Sequence, residues 1–293
     1  MARLIRAEIY KLRKRSMTYI LLAIMIGFIV LALSIMQTTA LTSNGTTITT
    51  VTNGKTIMTT IPEAATNVHF LQDAITTAIS FAGSIFGLAL AVVLMANATG
   101  SEYSWNTMRP YLLCCESRLR MFTAKLIAAA FFIISGMIIG VLVAILLGAL
   151  FTAIRGFSWS LDSGLMSFTG HQLLNFVRAF YVILPYALLA FLFTVLGRSV
   201  AAGIGFGIGT AVAESIIVGV LSLTHGWLAK IPNYLLSINV AKINSLSQSS
   251  ATIQVGTSTQ TPSALHAFIV LAVYCIVFIA ISFTIFQKRD VTG

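Results

Sequence analysis

Glu214 lies deeper among apolar neighbours than any other acidic residue, between Ala211-Val212-Ala213 and Ile216-Ile217-Val218. A carboxylate at that depth in a bilayer costs on the order of 3 kcal/mol by insertion scales, so it must face a cavity, find a partner or take up a proton. Two roles follow. It meets substrate or gates a pathway at the bundle interior, or it forms a buried polar contact, to Ser215 or to Tyr186 of a neighbouring span, that orients helices. A second concentration of polar chemistry runs from Gly100 to Lys125, between two long apolar stretches, and holds Glu102, Tyr103, Thr107, Arg109, Ser117 and Arg118. Its charges and helix formers suit short interfacial helices that a soluble partner could grip.

Catalytic and cofactor chemistry finds little to stand on. The chain has no Gly-x-x-x-x-Gly-Lys-Ser/Thr phosphate loop, and neither Gly-x-Ser-x-Gly nor His-Glu-x-x-His occurs. His69, His171, His225 and His266 are scattered without metal spacing. Cys114, Cys115 and Cys275 offer no disulfide framework. The reading is a protein with no catalytic, metal or cofactor-binding residues of its own, and a membrane enzyme lacks the constellation it would need.

The elements that carry these residues follow from composition. Hydrophobic residues make up 57% of the 293 and charged residues 9%, with mean hydropathy +0.93. A soluble domain carries about 25% charged residues, so this chain cannot clothe itself in a solvated surface. Six segments reach the roughly 20 apolar residues a spanning helix needs: Met17–Met36, Ile75–Ala96, Leu126–Thr152, Ala179–Leu196, Val200–Leu223 and Leu265–Phe286. Lipid leaves backbone groups no partner but their own chain, so helices are expected. The expected fold is an all-α membrane protein, one transmembrane domain over residues 1–293. Pro185 predicts a kink in the fourth span, and Gly197-Arg198-Ser199 is a three-residue hinge before the fifth.

Thirteen of the eighteen Lys and Arg fall on one side of that layout. They are six in the N-terminal fifteen residues, Arg109, Arg118, Arg120 and Lys125 after span two, Arg198, and Lys288 and Arg289. The positive-inside rule then places both termini in the cytoplasm. The net charge of +10 is a topology signal, not a nucleic-acid footprint. Residues 1–15 read as an amphipathic helix with Ile5, Ile9 and Leu12 on one face and Arg6, Lys11, Arg13 and Lys14 around the other, suited to lying in the membrane interface. On the outward side, residues 37–70 are rich in Thr with Asn44-Gly45 and Asn53-Gly54 turn signals, and partial alternation in Thr47–Val51 and Thr56–Ile61 predicts a small, solvent-exposed hairpin. Gly226–Val240 is too apolar for a free loop and too short to span, which fits an interfacial or re-entrant helix with Trp227 and Tyr234 at headgroup depth. Gly203/Gly207, Gly205/Gly209, Gly83/Gly87 and Gly136/Gly140 are Gly-xxx-Gly pairs that allow close helix approach, within one bundle or between two copies.

Glu102-Tyr103, Thr107-x-Arg109, Leu112-Leu113, Ser117-Arg118 and Lys125 together resemble the cytoplasmic loop of ABC-transporter permeases of the type-2 exporter (ABC-2) class. The basic amphipathic N-terminus, the six spans and the apolar segment before the last one are similar to that family's layout. The resemblance implies an N-terminal elbow helix, and a coupling helix within residues 97–125 that contacts a separate nucleotide-binding ATPase subunit. It also implies ATP-Mg on that subunit, and a second permease copy or paralogue facing the first in the cell membrane of a bacterium. Glu102, Tyr103, Thr107, Arg109, Ser117 and Arg118 become candidate coupling residues, and Glu214 the candidate pathway residue. Two positions depart from the pattern: Asn106 stands where Gly commonly precedes the Thr, and Pro110 predicts a break near Met108–Pro110. The competing expectation is a self-contained secondary transporter or channel, which favours inverted repeats and ionisable residues along its path; no internal repeat is visible. Substrate identity has no signature among the spans.

Overall fold

The computed structural model describes residues 1–42, 47–52, 55–60, 70–105, 118–154, 165–221, 231–247 and 263–288. Its helices are α1 (Ala2–Lys14), α2 (Ser16–Thr42), α3 (Phe70–Ala82), α4 (Ile85–Ser104), α5 (Arg118–Ile154), α6 (Leu165–Gly197), α7 (Val200–Leu221), α8 (Leu236–Ser245) and α9 (Ala264–Lys288). Six stretches are long and apolar enough to cross a membrane: Ser16–Ile35, Ile85–Ser104, Leu119–Phe151, Phe168–Gly197, Val200–Leu221 and Ala264–Gln287. The protein is a multi-pass helical membrane protein. Apart from the helices, the described residues contain one antiparallel hairpin, β1 (Thr47–Thr52) with β2 (Lys55–Thr60), in register Thr47↔Thr60 to Thr52↔Lys55. That is the hairpin the sequence predicts around Asn53-Gly54.

Three spans differ from their expected bounds. The second was expected at Ile75–Ala96. Instead the chain forms two helices, α3 and α4, broken at Gly83-Ser84. At the break Ser84 donates its hydroxyl to the Phe81 carbonyl, and Asn244 of α8 donates to the Gly83 carbonyl at 2.8 Å. The bend is tight enough that a Cβ on Gly87 would come within 2.0 Å of the Ala82 carbonyl oxygen, so only glycine fits there. Hydropathy runs unbroken across this point and registers one span. The third span begins eight residues early, because the end of the polar stretch, from Arg118, is already helical. The fourth was expected as the short Ala179–Leu196 but is a 33-residue helix that runs through Pro185. Its first turns carry His171, Gln172 and Arg178, which lowered the apolar score of a segment that is nevertheless helical.

α6 is the centre of the bundle, packed on α4, α7 and α9. Val182, Ile183, Tyr186, Ala187, Ala190 and Phe191 are all buried there. Phe122 of α5 meets Phe191 edge-on at 4.8 Å and Phe283 of α9 at 5.5 Å, tying three spans into one aromatic core. α7 packs against α4 and α6 through one glycine pair: a Cβ at Gly203 would lie 1.9 Å from the Thr194 hydroxyl, and one at Gly207 2.7 Å from Val92. The alternate pair, Gly205 and Gly209, has nothing within 4 Å. The two overlapping pairs therefore divide, one into the bundle and one out of it. At the expected hinge only Arg198 and Ser199 separate α6 from α7. Arg198 takes positive φ (49°) and the Ser199 hydroxyl accepts the Ala201 N–H as an N-cap.

Candidate functional site

The polar chemistry that the fold concentrates is a buried ion cluster where α1 meets the last turns of α4 and the first turns of α5. α1 buries Leu12 against Ala98 and Ala128, with Ile9 and Phe132 packed around them. That is the apolar face expected from Ile5, Ile9 and Leu12. The same face also carries Glu8, which is 3% exposed. Position 8 falls three residues after Ile5 and four before Leu12, so it points where they point.

Glu8 and Lys11 are one turn apart on α1, 3.6 Å between Oε1 and Nζ. Lys11 reaches across and donates to Glu102 Oε1 at 2.5 Å. Lys125 of α5 stands 2.5 Å from the same oxygen and 3.4 Å from both Glu8 oxygens. Glu102 and Lys125 are 2% and 5% exposed. Arg15, which closes α1, donates to the Asn97 carbonyl at 3.0 Å and to the Ser101 hydroxyl, and lies over the Trp105 ring at 5.3 Å. Burial pulls the Arg15 guanidinium below its ordinary value while Glu102 and Glu8 oppose that pull; an arginine keeps its charge regardless. Three cations thus face two carboxylates across three helices. Buried charges are tolerated only when paired in good geometry, and removing one partner costs about 3–5 kcal/mol because it strands the other. The cluster therefore locks the relative positions of α1, α4 and α5, the elements on either side of residues 106–117.

Of the candidate coupling residues, Glu102 is in the cluster and Tyr103 lies beside it on the same turn of α4, half-buried. Arg118 opens α5 by its backbone. Thr107, Arg109 and Ser117, with the expected coupling helix, lie outside the described residues. Lys11 was expected on the solvated face of α1 and is instead drawn into the cluster, because two buried carboxylates lie within reach of its long side chain. Glu8, Lys11, Arg15 and Lys125 were not singled out as site residues from sequence. The usable signal was Glu8 itself, an acid on the apolar face of an otherwise basic helix.

Glu214 belongs to a second, separate constellation. Its Oε2 accepts the backbone N–H of Ser237 at 2.6 Å and the Tyr186 hydroxyl at 3.4 Å. Ser237 is in the first turn of α8, one of the helix-start donors that have no partner within the helix, and an anion there also meets the positive end of the helix dipole. Asn239, fully buried, donates to the carbonyls of Asn233 at 2.9 Å and Leu235 at 2.7 Å and secures the same turn. The Tyr186 contact is one of the two the sequence offered; Ser215 turns back to the Val212 carbonyl. α8 starts later than the expected Gly226–Val240 segment and continues to Ser245. Trp227 lies outside the described residues, and Tyr234 is exposed.

No curated protein and no solved structure matches the chain. A family match spans residues 55–292 and so takes in Glu102, Lys125 and Glu214 but not α1. On that match over most of its length, the chain belongs to the family described as protein of unknown function, DUF2705.

Proposed function

We propose that this chain is the membrane-spanning permease subunit of an ATP-driven exporter, coupled through residues 97–125 to a separate cytoplasmic ATPase subunit. In this reading it sits in the cell membrane of a bacterium with both termini cytoplasmic, facing a second permease copy or paralogue. ATP-Mg is bound by the partner, and this chain has no ATPase site. The observation that carries the proposal is the ion-paired junction of Lys11, Glu102 and Lys125. Residues 106–117 are flanked by helices that are clamped to each other and to an amphipathic N-terminal helix. A push on that segment then moves two spans and the interfacial helix as one body instead of bending a loose loop. A second reading, a self-contained secondary transporter or channel, is favoured by the break between α3 and α4, since such proteins use discontinuous helices.

Purification of the tagged chain from its native membrane separates the two. The permease reading expects co-purification of a phosphate-loop ATPase and no ATP hydrolysis by the chain alone. Arg109→Glu and Arg118→Glu should leave insertion intact and weaken that association, because charge reversal places like charges together at a docked surface. ATP hydrolysis by the isolated chain would overturn the reading. So would ion-gradient-driven flux from the chain reconstituted alone.

A further inference from the structure

Between α2, α4 and α5 lies an apolar cavity of about 260 Å³. Met25, Leu90 and Phe132 wall it, together with Phe81 and Ile183. An apolar cavity of about 150 Å³ already stays dry and takes up benzene, so this one calls for a hydrocarbon occupant. Two of the polar groups along it are spent on backbone carbonyls: Thr18 donates to the Leu12 carbonyl of α1 at 2.9 Å and Ser135 to the Phe132 carbonyl at 3.0 Å. The charged side chain in the lining is Arg13, exposed at the end of α1 beside the exposed Tyr19; among the described residues it makes no hydrogen bond or ion pair. From Thr18 to Met25 the cavity follows about 10 Å of α2. A lone guanidinium beside hydrocarbon of that depth matches an amphiphile with an anionic head.

We propose that this cavity binds an anionic phospholipid of the leaflet on the α1 side, one acyl chain in the cavity and the phosphate on Arg13. A guanidinium holds a phosphate through two parallel N–H···O bonds, and lipidic chains bind in proportion to the methylenes they bury. The site stands independently of the exporter reading.

The test places the full chain in phosphatidylcholine vesicles doped with phosphatidylglycerol that carries a photoreactive acyl chain. Adducts should concentrate on Met25, Leu90 and Phe132. Arg13→Gln, at an exposed position, should lower that labelling about tenfold, the loss of one charge-assisted contact. Gly136 lines the cavity and a Cβ there meets no atom within 4 Å, so Gly136→Leu should abolish the labelling. Equal labelling along the outward faces of α7 and α9, or indifference to both substitutions, would overturn the proposal. Equal labelling by a photoreactive phosphatidylcholine would overturn the headgroup assignment, and preference for a free fatty acid over phosphatidylglycerol would overturn the lipid class.

Discussion

Ser237 presents its backbone N–H to the Glu214 carboxylate at 2.6 Å, from the first turn of α8 to the middle of α7. One side chain thereby fixes where a short helix begins. The Tyr186 hydroxyl approaches the same oxygen from α6, so three elements converge on a single acceptor.

Replacement of Glu214 by Gln keeps a carbonyl oxygen in that place, whereas Leu removes the acceptor altogether. Glu214→Leu should destabilise the docking of α8 by about 1–3 kcal/mol, the cost of leaving buried donors unmade. Glu214→Gln should stay within about 1 kcal/mol of the parent on the same grounds. Amide hydrogen exchange over residues 236–245 reads the difference directly. If Gln fails in transport while exchange is unchanged, Glu214 contributes its charge to the pathway as well as its shape to the fold.

The α1–α4–α5 cluster makes a sharper energetic prediction. Glu102→Leu alone leaves Lys125, Lys11 and Arg15 facing the single carboxylate of Glu8 and should cost about 3–5 kcal/mol. Combining it with Lys125→Met leaves Glu8 opposite Lys11, a balanced pair already 3.6 Å apart. The double variant should therefore recover most of the loss. Unfolding in detergent by denaturant, arranged as a double-mutant cycle, gives the coupling energy; additive costs would mean the two side chains do not act as a pair.

The two overlapping glycine pairs of α7 should answer opposite ways to one methyl group. Gly203→Ala drives a Cβ into the Thr194 hydroxyl and the Ala190 carbonyl and should destabilise by about 1–3 kcal/mol. Gly205→Ala meets open space and should be neutral or stabilising by up to about 1 kcal/mol, the helix-propensity gain. Thermal unfolding of the two variants side by side settles the assignment.

Topology is testable without touching any of these contacts. Cysteines placed at Thr47 and Thr257 should react with a membrane-impermeant maleimide in intact cells, and Cys114 should not. Labelling of Cys114 from outside would reverse the orientation drawn from the thirteen-to-five distribution of basic residues.

The spans, the hairpin and Tyr186 as one of two partners for Glu214 were legible in the sequence because each rests on a local pattern: an apolar run, an Asn-Gly turn, or a charge that must be satisfied nearby. The break between α3 and α4 was not. Nothing in the hydropathy of residues 75–96 changes at Gly83, and the group that holds the bend, Asn244, arrives 161 residues later. Glu8 and Lys125 were hidden for the same reason, being partners 117 positions apart. A helical wheel shows that Glu8 shares a face with Leu12 but not that a lysine waits opposite. The early starts of α5 and α6 were missed because a helix that leaves the hydrocarbon keeps its hydrogen bonds while losing its apolar signal.

The two-residue link at Arg198 and Ser199 also bears on the order in which the molecule assembles. Loop closure costs least when the loop is shortest, so α6 and α7 can meet as soon as both have been made, ahead of any pairing that spans the long connections elsewhere. The contact waiting for them, Gly203 against Ala190 and Thr194, lies within that hairpin. The fourth and fifth spans are thus suited to entering the bilayer as a pre-paired unit. The central helix would arrive with one neighbour already seated, and the remaining spans would assemble around it.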